Sequence, residues 1–265
     1  MKTLTYTFTA ALLLVLSGFV AAETPQDKGR RIAVEAYERG TSFGDFTVSG
    51  RMILRSPQGQ ESTRGFRLSG IETGNGVQKN LLVFEWPPDI RDVALLTVNQ
   101  PQVEDQQWLY LPALRRVKRI STANRTGSFA GSELSYEDFV TPEVDRFTYR
   151  WIGSEACPNL PELVCNVVER LPVDAYSGYR RQVVWLDEGE YRIHRIDYHD
   201  RRDERLKTLQ LDGYERHEGR HWRPARMLMS NHQSGRSTEL QWSDYRFGTG
   251  LNDEDFSVRA LERTR

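Results

Sequence analysis

The chain has 265 residues, 38% of them hydrophobic and 11% aromatic, enough to bury one sizeable core. Its 36 Lys and Arg residues nearly balance 37 Asp and Glu residues, so global charge does not direct it to nucleic acid. The first expected element is an export signal. Met1 and Lys2 precede an apolar run, Ala10 to Leu16, then Ser17-Gly18 and Val20-Ala21-Ala22, which favours cleavage after Ala22. The run falls short of the roughly 20 apolar residues a membrane span needs. No cysteine follows the cleavage site to carry a lipid anchor. Residues 1–22 therefore read as a signal peptide and 23–265 as one exported, soluble domain.

A helix is expected next. Thr24 can cap it, Pro25 suits its first position, and Asp27 lies in the first turn. Ile32 with Ala36, and Ala33 with Tyr37, form i,i+4 apolar pairs, and Gly40 ends the run. From Phe43 onward the period is two. Strands are expected around Phe46–Val48 and Met52–Leu54, around Phe66–Leu68, and over Val77–Trp86, with turns at 57–60 and 73–76. Trp108 and Tyr110 share a strand face, Pro112-Ala113 turns the chain, and Arg116, Lys118 and Ile120 lie on the return strand. Thr126 to Gly131 is too rich in Gly and Ser for a strand. A short helical turn follows over Ser135–Phe139, capped by Ser135. Further strands are expected at 146–152, 164–170, 180–186, 191–198, 205–211, 221–230 and 238–247, with turns at 187–189, 218–219 and 234–235. The sum is a mainly β fold: one strongly bent antiparallel sheet with flanking helices.

Two cysteines, Cys157 and Cys165, bracket a segment with two prolines that reads as a bent loop. In an oxidising compartment a disulfide is the expected state; a metal pair lacks nearby thiols or histidines, and redox catalysis favours Cys-x-x-Cys. His217-Glu218-Gly219-Arg220-His221 matches the H-E-x-x-H string of zinc peptidases. That chemistry needs both histidines on one helical face. Here Glu218-Gly219 reads as a hairpin tip, so no metal is expected. His194 and His199, five apart on a strand, face opposite ways. No Gly-x-Ser-x-Gly elbow is present, Gly127-Ser128 has no strand-to-helix setting, and Asp253, Glu254 and Asp255 read as a solvated loop. Neither an enzymatic activity nor a cofactor is indicated.

The order W-L-Y-L-P-x-L-R-R-V-x-R-I over 108–120, followed by S-F-x-G-S-x-x-S-Y-E-D-F over 128–139, resembles the outer-membrane lipoprotein-sorting (LolA-like) family. More closely, it resembles the branch that accompanies RND/MMPL-type exporters. The resemblance implies a half-open β-barrel whose concave side is covered by helical lids that move when lipid enters. It also implies a periplasmic, non-enzymatic carrier or chaperone that hands a lipid or acylated (lipoprotein) cargo to an exporter or outer-membrane acceptor, with transient contact with the membrane surface. The alternative is a sensor or adaptor of the same fold that binds a protein partner. For an apolar groove the candidates are Leu82, Phe84, Trp86, Trp108, Tyr110 and Phe129, each of which could equally be core. The 87–91 and 121–139 segments are expected near its opening. Arg115, Arg116, Lys118 and Arg119 either form a solvated basic edge or contact a lipid phosphate or an acidic partner.

Overall fold

The computed structural model describes residues 22–74 and 76–262; the expected signal peptide lies almost wholly outside them. A first helix, α1 (Pro25–Gly40), starts as its sequence dictates: Thr24 Oγ1 accepts from the Asp27 amide at 3.1 Å and donates to the Asp27 carboxylate at 2.6 Å. Strands β1 (Asp45–Arg55), β2 (Glu61–Glu72), β3 (Gln78–Trp86), β4 (Ala94–Asn99), β5 (Gln106–Leu111) and β6 (Arg116–Ile120) follow as a meander. After a long crossover come β7 (Phe147–Cys157), β8 (Leu160–Pro172), β9 (Tyr179–Asp187), β10 (Ile193–Asp200), β11 (Arg205–His217), β12 (His221–Asn231) and β13 (Ser237–Phe247). A short helix, α2 (Val258–Leu261), ends the described chain.

All thirteen strands form one antiparallel sheet, ordered β6-β5-β4-β3-β2-β1-β13-β12-β11-β10-β9-β8-β7. The two meanders join where β1 pairs with β13, and the sheet does not close: β6 and β7 are its free edges. Alternate residues from nearly every strand converge on one core, among them Met52, Leu82, Leu95, Val168, Val184, Leu209, Met229 and Leu240. The 121–146 crossover joins the two edges and puts Phe129, Leu134 and Phe139 into that core. Beside β7, α1 comes so close that a Cβ on Gly29 would lie 2.7 Å from the Trp151 backbone nitrogen. A smaller cluster lies elsewhere: Ala94, Leu96, Val98 and Tyr110 pack with Phe256 and Leu261 of the C-terminal segment.

Several local features go beyond the sequence reading, and the bent cysteine loop needs correction. Strand β4, Ala-Leu-Leu-Thr-Val-Asn, is buried along its whole length and so lacks the alternation that marks a half-exposed strand. The cysteine segment is a hairpin end: Cys157 finishes β7, Cys165 lies in β8, and only a two-residue turn separates the strands. An irregular register beyond Ala156 and Val164 absorbs the extra residues, and Cys157 and Cys165 are disulfide-bonded across it. Residues 87–91 form a compact turn, closed by Ile90 and Arg91 amides donating to the Pro87 carbonyl, with Ile90 packed on the main core. The Ser135 turn is a 3-10 helix over Tyr136–Phe139, with the Ser135 and Asp138 side chains capping reciprocally.

Candidate functional site

The inner side of the sheet is covered in two ways. The crossover is fixed by buried polar bonds. Lys207 on β11 and Asp138 of the crossover pair at 2.6 Å, each side chain only 4% exposed. Lys207 also donates to the Glu133 carbonyl at 3.0 Å, and Asp138 accepts from the Tyr179 hydroxyl at 2.7 Å. Gln107 donates to the Tyr136 carbonyl at 2.9 Å, and Arg125 donates to the Asp105 carbonyl. Glu137 accepts from the Ser177 hydroxyl and the Gly178 amide, yet burial raises its carboxyl above the usual range.

Helix α1 is held by packing, with Ile32 in the main core and Gly29 against β7, while its side-chain ion pairs lie at the surface. Its ion pairs, Arg30–Asp145 at 2.8 Å and Arg39–Glu190 at 3.1 Å, are solvent-exposed. Such pairs contribute about 0–1 kcal/mol each.

Beneath α1 lies a cavity of about 310 Å³, between Ile32, Ala33 and Ala36 of the helix and Val168, Val184 and Leu186 of the sheet. A second, of about 260 Å³, runs under the crossover against Ile196, Leu209, Leu211 and Met227. Both touch Thr141, Pro142, Arg170 and Ile193. A third, of about 190 Å³, is lined by Leu82, Leu95, Leu134, Leu240 and Trp242. Small-molecule sites commonly span about 300–1,000 Å³ and are mostly apolar with a few placed polar groups. The first cavity has such groups in Arg170, Arg223, Tyr149, Gln78 and Asn80. Burial pushes the Tyr149 phenol up to about 12 and lowers both guanidinium groups from their ordinary value.

The six groove candidates do not come together. Leu82 lines the third cavity. Phe84 and Phe129 are fully buried and stack on each other at 5.7 Å, with Phe139 edge-on to Phe129 at 4.8 Å, so they anchor the crossover as packed core. Trp86 is 40% exposed, its ring against Gly65. Trp108 and Tyr110 do share a strand face, but it is the one away from the main core, under Phe256 and Leu261; Leu109 points inward instead. Periodicity identifies a shared face but not its orientation. The residues missed by sequence are chiefly Arg170 and Arg223. Arg170 continues the inward set of β8 after Val168, and an arginine at an inward position is the signal that could have found it.

Arg115, Arg116, Lys118 and Arg119 are exposed on or beside the free edge strand β6, and among the described residues none has a carboxylate within ion-pairing distance. The H-E-x-x-H string is a hairpin: His217 pairs with His221, and Glu218 and Gly219 turn with φ of +49° and +69°. His217 lies tilted against Tyr245, and His221 stacks on Phe247. His194 is buried and bonded to Asp187 at 3.0 Å. It also comes within 4.8 Å of both cysteine sulfurs, which the disulfide already uses.

A family model of uncharacterized proteins matches residues 76–263. No curated protein matches the chain. Among solved structures, a domain described as an outer membrane lipoprotein-sorting protein from Vibrio parahaemolyticus is 40% identical, covers 90% of this chain and 100% of its own, and superposes with a TM-score of 0.86. A DUF1329 family protein from Desulfovibrio piger is 30% identical, over 90% of this chain and 99% of its own, with a TM-score of 0.84. A LolA superfamily protein from Nitrosomonas europaea shares the fold at 17% identity and a TM-score of 0.67, over 88% of this chain and 98% of its own. With an unclosed antiparallel sheet, a covered inner face and a relative at 40% identity, this chain has a LolA-like fold and belongs to the outer-membrane lipoprotein-sorting family.

Proposed function

We propose that this protein is a periplasmic, non-enzymatic carrier that shelters the acyl chain of a lipid or acylated protein on the inner side of its open sheet. The observation that carries the reading is the apolar cavity between α1 and strands β7–β10. Moving acyl chains there from water gains about 0.8 kcal/mol for each buried CH₂. Entry requires a cover that moves, and α1, whose ion pairs are exposed where those of the crossover are buried, is the proposed one. Among the described residues no helix is long and apolar enough to cross a membrane, and residues 1–22 supply the export signal.

So favourable a burial needs a partner to release the cargo, and an RND/MMPL-type exporter or an outer-membrane acceptor suits that role. The basic edge of Arg115, Arg116, Lys118 and Arg119 is the proposed contact with that partner or with lipid head groups. Mass spectrometry of lipids extracted from natively purified protein tests the carrier reading. Co-purifying lipid at near-equal stoichiometry supports it; a stable protein partner with no lipid favours the adaptor.

A further inference from the structure

Arg170 and Arg223, both half-buried, lack the carboxylate partner that many arginines of this protein have. Arg30, Arg31, Arg39, Arg55, Arg192 and Arg226 all pair with carboxylates. Arg170 does not. Its Nε donates to Gln182 Oε1 at 2.8 Å and its guanidinium lies 4.7 Å from the Phe147 ring centre. Arg223 reaches only carbonyls, of Trp222 at 3.1 Å and Gly40 at 3.4 Å, and lies near the rings of Phe43 and Phe247. The carboxylate that acts on it from a distance, Glu72, is occupied by the amides of Ser42 and Phe43. Among the described residues neither guanidinium has a carboxylate within ion-pairing distance, yet both line the cavity under α1, and Arg170 also lines its neighbour.

Two cations held in a mostly apolar cavity without counter-charges are costly unless something anionic joins them. Neutral acceptors and ring faces recover only part of what water supplied. The burial that lowers both guanidinium groups reports the same deficit. Guanidinium groups meet carboxylates through short, charge-assisted and often paired hydrogen bonds. A cavity of about 310 Å³ is at the small end for ligand sites, which suits one chain better than several.

Resting on the carrier reading, we propose that the cavity under α1 takes a single-chain amphiphile with a carboxylate head, a long-chain fatty-acid anion, and that Arg170 recognises the head group. The chain would lie against Val168, Val184 and Leu186, with the carboxylate at the polar junction toward Arg170.

The test titrates the lipid-stripped full chain with a fluorescent fatty acid, cis-parinaric acid, and with its methyl ester at neutral pH. The native protein should bind the acid about tenfold or more tightly than the ester, the difference a charge-assisted pair supplies. Arg170→Gln should lose most of that preference while ester affinity stays nearly unchanged. Equal affinity for acid and ester in the native protein overturns the head-group proposal and leaves the carrier reading standing. A preference that survives the substitution also overturns it, because Arg170 is then not the recognition group. No saturable binding of either ligand overturns the carrier reading and this proposal together. If a variant fails to fold, the native comparison of acid with ester still decides.

Discussion

At the scale of single residues, the buried Lys207–Asp138 pair is the most consequential contact outside the cavity. Removing one member of such a pair costs about 3–5 kcal/mol, since the other charge stays buried. Lys207→Met should therefore lower stability in urea denaturation by roughly that amount and raise hydrogen exchange across residues 121–146. Glu239 carries a pH dependence. Hydrogen bonds from Arg226 first, then Gln241 and Arg55, outweigh burial and lower its carboxyl from 4.5 to about 2. A depressed carboxylate stabilises the folded state above its unfolded value and loses that contribution as pH falls through the folded one. Thermal midpoints should thus fall between about pH 4.5 and 2, and Glu239→Gln should flatten that part of the profile. Trp108→Ala, on the outer face, should loosen the C-terminal segment and lower the thermal midpoint while acyl binding stays as in the parent. Loss of binding in a folded Trp108 variant would contradict the assignment of that face.

At the scale of elements, α1 and the disulfide hairpin make opposite demands on intuition. Replacing Gly by Ala inside a helix ordinarily gains about 1 kcal/mol from propensity. At Gly29 the new Cβ meets the Trp151 backbone, so Gly29→Ala should instead lift α1 from β7, lower the thermal midpoint and speed ligand entry. A stabilised variant with unchanged entry would show that the helix does not pack as described. Closing the short Cys157–Cys165 loop should contribute about 2–3 kcal/mol in the chain-entropy model. Thiol labelling of unfolded, unreduced protein should find no free thiol. Much of this was legible in sequence. Thr24, Pro25 and Gly40 bounded α1, and Ser135 marked the crossover's 3-10 turn, because caps are local chemistry. Strand β4 was not legible because the C-terminal segment buries its second face, a tertiary event that erases alternation. The same covering segment turned Trp108 and Tyr110 from groove candidates into outer packing. Arg170 was hidden for a different reason: its meaning lies in the absence of a carboxylate neighbour, which no spacing records.

At the scale of the whole molecule, the open sheet explains how one chain can have both a core and a chamber. A closed barrel of thirteen strands would fix its interior, whereas edges at β6 and β7 leave the inner face to be covered by separate pieces. The crossover is one piece, bonded in and aromatic; α1 is the other, packed on β7 through Gly29 and on the core through Ile32, with its ion pairs at the surface. Exposed cations on β6 also protect that edge from pairing with another sheet, whatever else they contact. The central claim is that the space under α1 is a chamber for an acyl chain rather than a packing defect. Saturable binding of an acyl-chain fluorophore to the native protein and to Ala36→Trp, whose indole would occupy that space, tests it most directly. The account predicts one saturable site in the native protein and at least about tenfold weaker binding in the folded variant, the loss expected when a pocket of this size is filled. Equal binding by both proteins, or no saturable binding by the native one, would contradict it.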